Sequence, residues 1–180
     1  LLRYIQNWSL RRSDGAIFLT RYAAEVIQRS SGPVRRIGLV PHGVGQNFQE
    51  LQHLLPWPAN DERPIRLLYI SNAAWYKHQW MVVRAVEQLR NQGIDLTLTL
   101  IGGGSGPAQE RLRTQMALSD PLGVFVTQKE FVPQTELPGY LLDADIFVFA
   151  SSCENMPNTL VEAMAAGLPI ACSRRGPMPE

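Results

Sequence analysis

Residues 145–172 read DIFVFASSCENMPNTLVEAMAAGLPIAC, and the change of period inside this stretch decides the fold. Asp145 to Ala150 is short and apolar on both faces, as strands buried in a parallel sheet are. A polar loop follows. Asn158 to Ala166 then sets its apolar residues at helical spacing, and Gly167 with Pro169 stops the helix. Pro169 to Cys172 is a second short apolar run. Strand, helix and strand in this order make a unit whose two strands run parallel.

The same alternation recurs upstream. Arg66 to Ile70, Leu96 to Ile101 and Val124 to Thr127 are short runs rich in β-branched or aromatic residues. Between them, Gln79 to Arg90 places Met81, Val82, Ala85, Val86 and Leu89 on one helical face and Arg84, Glu87, Gln88 and Arg90 on the other. Pro107 to Leu118 and Thr135 to Leu142 supply the next helices. The expected class is α/β, a Rossmann-like parallel sheet with flanking helices, the strands buried on both sides. The first thirty residues repeat the theme: a helix through about Leu10, a strand Ala16 to Thr20, a helix Arg21 to Gln28. Ser30-Ser31-Gly32-Pro33 reads as a loop or linker. A strand near Arg36 to Val40 precedes a polar, proline-bearing stretch from Gln46 to Pro64, expected to be a mobile loop.

Composition narrows the function classes. A 45% hydrophobic share of 180 residues supplies one substantial core. With 17 Lys and Arg against 16 Asp and Glu, the net charge of +1 gives no field that would gather nucleic acid or an anionic membrane surface. An anionic ligand must then be held locally. Cys153 and Cys172 form no CxxC pair, which argues against a disulfide framework or zinc site and for the reduced thiols of a cytosolic protein. No apolar run reaches the ~18–20 residues that span a bilayer, and no signal peptide is visible, so a soluble chain is expected. The chain opens at Leu1 and stops at Glu180, just past Gly176-Pro177-Met178-Pro179, and is expected to be a segment of something longer.

Ligands of open α/β sheets bind at the carboxyl ends of the strands, which directs attention to the loops after Ile70, Ile101, Thr127 and Ala150. The first carries Ser71-Asn72-Ala73-Ala74-Trp75-Tyr76-Lys77. The second, Gly102-Gly103-Gly104-Ser105-Gly106, lets backbone approach a ligand closely. It is not a dinucleotide fingerprint, because Pro107 stands where a third glycine is required, and no lysine follows it as in a P-loop. A plain strand-to-helix turn explains it equally well. The fourth loop holds Glu154, Asn155, Met156, Asn158 and Thr159, with Glu162 in the first turn of the next helix. Amides at that helix start suit a phosphate. From spacing alone a second reading stays open: Thr159 and Glu162 as a capping box, with Glu154 merely solvated.

Other features point to structure. Asp143-Ala144-Asp145 matches the Asp-x-Asp pattern of metal-dependent transferases, but Asp143 ends a helix and Asp145 opens a buried strand, which favours a structural role. His42, His53 and His78 are scattered and suggest neither a metal cluster nor a triad. Trp57, Trp75 and Trp80 read as packing residues.

Glu154 and Glu162 stand eight apart and are followed by Ala163-Met164-Ala165-Ala166-Gly167-Leu168-Pro169. This resembles the Glu-x7-Glu motif of family 4 (group 1) glycosyltransferases, which have the GT-B fold. Val40-Pro41-His42-Gly43-Val44 is similar to that family's Pro-Asn-Gly-Val turn. Lys77, Gly102 to Gly104, and Ala144-Asp145-Ile146-Phe147-Val148 fall in order where the family has its phosphate-binding lysine, its glycine turn and the strand before its acidic motif.

The resemblance implies that residues 34–180 are the donor-binding C-terminal domain, truncated at its end, and residues 1–33 the end of the acceptor-side domain and a linker. The rest of the acceptor-side domain is missing. It implies a retaining transferase that takes a nucleotide-diphosphate sugar and an unknown acceptor, in polysaccharide or glycoconjugate biosynthesis, with no metal, no cofactor and no nucleic acid. Such a protein is cytoplasmic, with any membrane attachment made through the missing domain. Glu154 would bond the donor sugar's hydroxyls and Glu162 the ribose. Lys77 and the amides around Asn158 and Thr159, near Asn155 and Met156, would neutralise the departing diphosphate. Gly103 would turn beside it, and the base would lie near Phe131 and Val132. The chain departs from the family at Ser71, where an arginine is common, and at Asn155-Met156-Pro157, where Gly-Phe-Gly is usual; Pro157 has no amide hydrogen to offer. Two competing classes are a non-catalytic nucleotide-binding or receiver-type module and a nucleotide-sugar epimerase of related architecture. A glycosidase using the two glutamates as acid and base is the remote third.

Overall fold

The computed structural model describes residues 2–51, 56–58 and 63–180. His53 and much of the 46–64 stretch lie outside the described residues. The chain divides into two compact units, one comprising residues through Gly43 with Cys153–Pro157 and Arg174–Glu180, the other Val44–Ser152 with Asn158–Ser173.

The first unit is built on α1 (Leu2–Arg12), β1 (Ala16–Phe18), α2 (Arg21–Ser31) and β2 (Ile37–Leu39). β1 and β2 pair in parallel, Ala16 opposite Ile37 and Phe18 opposite Leu39. Thr20 starts α2, its hydroxyl accepting from the Ala23 amide at 3.1 Å. Ser30 and Ser31, expected in a loop, are helical. Their carbonyls accept from Asn7 Nδ2 at 3.0 Å and Arg11 Nε at 2.5 Å, so contact with α1 carries α2 to Gly32, where φ of 81° ends it.

The second unit contains a short helix α3 (Gln46–Gln49), then β3 (Ile65–Ile70), α4 (Gln79–Asn91), β4 (Leu96–Ile101), α5 (Pro107–Ser119), β5 (Val126–Lys129), α6 (Leu137–Asp143), β6 (Ile146–Phe149), α7 (Asn158–Ala165) and β7 (Ile170–Cys172). Its five strands are all parallel in the order β5-β4-β3-β6-β7. This is the α/β sheet with flanking helices that the alternation implies. Leu68, Tyr69, Leu98, Leu100, Phe147 and Phe149 on the central strands form the core with Val83 of α4 and Leu112 of α5. α3 packs on α7 and buries Phe48. Two local expectations change. β5 begins two residues later than Val124: the Asp120 carboxylate takes the amides of Val124, Phe125 and Val126, each at 2.7 Å, and pairing with β4 opens with the Phe125 carbonyl accepting from the Leu98 amide at 2.7 Å. β7 is an edge strand with Ala171 and Cys172 exposed rather than buried on both sides. Among the described residues no helix is long and apolar enough to cross a membrane.

Asp145 fastens the amino end of this sheet. Its buried carboxylate receives two hydrogen bonds from the Arg63 guanidinium, at 2.6 and 2.7 Å, and one from the Arg66 amide at 2.8 Å. The structural reading of the Asp-x-Asp pattern accounts for this residue. Among the described residues no group of three or more His, Cys, Asp or Glu could hold a metal. Burial alone would raise the Asp145 carboxyl, but the Arg63 hydrogen bond, the Arg66 amide and the two guanidinium charges outweigh it and hold it below the usual aspartate range.

A lowered folded-state pKa contributes stability above the ordinary aspartate pKa of about 4 and loses it as pH falls through the folded value. Asp145→Ala should therefore lower stability at neutral pH by about 3 kcal/mol in urea titrations, since it removes the buried carboxylate that pairs with two guanidinium groups and accepts from the Arg66 amide. The variant should also lose less stability than the parent as pH drops below about 4. An unchanged urea midpoint would contradict this role.

Candidate functional site

The switch in sheet order marks a candidate site. From β3 the chain moves to β4 on one side, while β6 lies on the other, so the loops leaving the carboxyl ends of these strands border one crevice. In the loop after β3, Trp75–Lys77 forms a single 3-10 turn directly before α4. The Lys77 ammonium lies over the Phe149 ring at 5.0 Å and the Tyr76 ring at 5.2 Å, so two aromatic faces hold its charge at this end of the sheet. The Tyr69 hydroxyl donates to the Lys77 carbonyl at 2.5 Å, and buried Gln79 donates from Nε2 to the Ser71 carbonyl at 2.9 Å.

The glycine run meets this loop backbone to backbone. Gly102 adopts φ of 107°, and a Cβ there would stand 2.3 Å from the Ser71 carbonyl oxygen. Gly103 is crowded from the other side, where a Cβ would come within 2.9 Å of Glu130. The Ala73 amide donates to the Gly103 carbonyl at 3.0 Å, and the Gly102 amide to that of Lys129 at 2.9 Å. Close packing of three loops therefore explains Gly102 and Gly103. The loop after β5 begins at Glu130 and presents Phe131, 83% exposed, beside half-buried Val132.

The loop after β6 is stitched to the Lys77 turn. The Tyr76 carbonyl accepts from the Ser152 amide at 2.8 Å, the Ser151 hydroxyl at 3.1 Å and the Ser152 hydroxyl at 3.4 Å. α7 then opens with exposed Asn158 and half-buried Thr159. Because the helix starts at Asn158, Thr159 lies inside its first turn. Among the described residues no side-chain hydrogen bond joins Thr159 to Glu162, so the capping box does not form. Glu162 is half-buried, its carboxylate has no hydrogen-bond or ion-pair partner among the described residues, and burial pushes that carboxyl above the ordinary glutamate range. A desolvated carboxylate without a partner is costly and marks a candidate ligand site.

Glu154, Asn155 and Met156 belong to the first unit, so the two glutamates of the pair lie in different units. Glu154 is half-buried. The Thr20 hydroxyl stands 3.4 Å from Asn155 Oδ1, and the His42 amide 3.1 Å from the Met156 sulfur. Glu180 accepts from the Arg21 and Tyr22 amides at 2.9 and 2.5 Å, closing the start of α2 with a carboxylate.

Sequence reasoning missed Tyr69, Gln79, Ser151, Ser152 and His78, which shape the Lys77 turn. Two hydroxyl residues at the end of a strand were a visible signal; nothing in the spacing singled out His78. Trp75 and Trp57 are each 55% exposed rather than packed inside, although Trp75 meets the Trp80 ring edge-on at 5.2 Å.

The family model described as "Glycosyl transferases group 1" matches residues 56–180. The chain is 32% identical over 153 residues to an amylovoran biosynthesis glycosyltransferase of Erwinia amylovora, covering 82% of this chain and 35% of that protein. It is 28% identical to the 2-deoxystreptamine glucosyltransferase of Streptomyces kanamyceticus, covering 95% of this chain and 45% of that one. The chain thus spans less than half the length of these relatives. Among solved structures, the Anabaena protein HepE, crystallised in complex with UDP and glucose, superposes with a TM-score of 0.78 at 18% identity over 98% of this chain and 49% of its own. Sucrose-phosphate synthase from Thermosynechococcus elongatus superposes at 0.77 with 23% identity, over 97% of this chain and 44% of its own. At such identities the likeness establishes a shared fold, that of the GT-B glycosyltransferases. The match to the family model extends over more than half of the sequence, and the chain belongs to the group 1 glycosyl transferases.

Proposed function

We propose that this chain is the nucleotide-sugar-binding half of a retaining glycosyltransferase, and that a nucleoside diphosphate is held at the carboxyl ends of β3, β4, β5 and β6. The observation that carries the reading is Glu162, a desolvated carboxylate with no partner among the described residues, on the helix that follows the loop after β6. Ribose hydroxyls donating to that carboxylate would replace the water it has lost. The complex of HepE with UDP and glucose supports the same ligand class.

In this proposal the Lys77 ammonium and the first amides of α7, at Asn158 and Thr159, counter the charge that develops on the diphosphate as the sugar leaves. Pro157 contributes no amide there. Gly103 keeps the backbone low beside the phosphates, and Phe131 with Val132 offers the base an apolar surface. Glu154 accepts from hydroxyls of the donor sugar, with Asn155 and Met156 beside it in sequence. These roles need neither a metal nor another cofactor. Residues 34–180 act as the donor domain, and residues 1–33 as the end of an acceptor-side domain whose remainder completes the enzyme. Transfer requires that remainder, because the acceptor must be aligned against the donor. The whole enzyme would work in polysaccharide or glycoconjugate biosynthesis on the cytoplasmic side, any membrane attachment lying outside these residues.

Calorimetric titration of the chain with UDP and with GDP should show weak binding of at least one of them that a chelator leaves unchanged. Binding that disappears with the chelator would contradict the metal-free site. Lys77→Ala should weaken that binding about ten-fold or more, the loss of one charge-assisted contact.

The two glutamates separate by ligand. Glu162→Gln should weaken the bare nucleoside diphosphate about ten-fold. A raised folded-state pKa means that the protonated form favours folding, a contribution present below the unfolded pKa and lost as pH rises through the folded one. Removing the charge should therefore leave the melting temperature at pH 7 unchanged or slightly higher. Glu154→Gln should weaken only the nucleotide sugar. Undiminished binding of both ligands by Glu162→Gln would refute the ribose assignment.

A further inference from the structure

His78 is the one residue other than glycine with positive φ among the described residues, at φ 52° and ψ 29°. Left-handed backbone is unfavourable for a residue with a Cβ and persists where surrounding contacts enforce it. Two contacts do so here. The imidazole Nε2 lies 2.7 Å from Ser152 Oγ, across 74 residues of sequence, and the ring meets Trp80 edge-on at 5.6 Å. His78 also ends the 3-10 turn that carries Lys77 and begins α4, so its backbone sets the direction in which Lys77 leaves the sheet.

We infer that His78 is a positioning residue for Lys77, acting through Ser152, and this rests on the proposed role of Lys77 at the diphosphate. With Nε2 protonated, the imidazole donates to Ser152 Oγ, whose own hydrogen is then directed at the Tyr76 carbonyl. The Ser152 amide and Ser151 hydroxyl reach the same carbonyl. Tyr76 and His78, on either side of Lys77, are thus both tied to the loop after β6, and the lysine cannot shift along the sheet without breaking this chain of bonds. His78 reaches no diphosphate itself; it fixes the group that does.

The test is a double-mutant cycle read by calorimetry, with UDP and GDP as probes. His78→Gly accepts the left-handed backbone without strain and removes the tether along with the ring contact to Trp80, so it should fold, keep its melting temperature within a few degrees and bind the diphosphate about five-fold more weakly, the net worth of one hydrogen bond. Ser152→Ala cuts the tether from the other side and should give a similar loss, which secures the test should His78→Gly fold poorly. His78→Gln, whose amide reaches as far as Nε2, should restore most of the affinity. In a Lys77→Ala background His78→Gly should cost nothing further, because the two act through one group. Equal losses from His78→Gly with and without Lys77, or no loss from either tether variant, would overturn the inference while leaving the site intact. A Lys77→Ala variant that binds like the parent would instead overturn the site reading, and the inference with it.

Discussion

Parallel strands can be joined only by connections that return to the same end of the sheet. That constraint governs everything functional in this chain. With β3 in the middle of the order and its two neighbours, β4 and β6, reached by separate crossovers, the loops after these strands must border the same crevice. The amino ends of the strands are left to structure, and there Asp145 joins the start of β6 to Arg63 and Arg66. The carboxyl ends carry the glycines, Lys77 and the loop leading to α7. A division of labour between the two ends of one sheet follows from topology before any side chain is considered.

The crevice carries unfavourable features that the core does not. Glu162 holds a carboxylate in a partly desolvated position, and His78 keeps a backbone conformation that its side chain disfavours. Both cost stability, and both lie close in space or sequence to the residues proposed to meet a diphosphate or ribose. At the other end of the sheet the carboxylates are matched: Asp145 pairs with two arginines, and Asp120 accepts from three consecutive amides.

Much of this was legible in the sequence. The α/β class and the parallel sheet followed from runs such as Asp145 to Ala150, apolar on both faces, alternating with helical patterns. The loops proposed to meet the donor were singled out by the rule that ligands sit at carboxyl ends. What the sequence could not show were effects arising between distant segments. Ser30 and Ser31 look like a linker until Asn7 and Arg11 bond their carbonyls. Val124 looks like strand until the Asp120 side chain takes its amide. The capping box at Thr159 and Glu162 fits the spacing, yet α7 begins two residues earlier than that motif needs, which leaves the Glu162 carboxylate unpaired among the described residues. His78 carries no motif at all, and its importance rests on a backbone angle and a contact with Ser152 that no local pattern encodes.

The central claim is that a nucleoside diphosphate occupies the carboxyl edge of the five-stranded sheet, and backbone amide resonances report this directly. In a titration of isotopically labelled chain with UDP and with GDP, the largest shifts are expected at Ser71 to His78, Gly102 to Gly104, Phe131 and Val132, and Asn158 to Glu162 for whichever nucleotide binds, with Arg66, Thr97 and Asp143 at the opposite edge unmoved. Shifts concentrated at that opposite edge, or no shift with either nucleotide at millimolar concentration, would contradict the account.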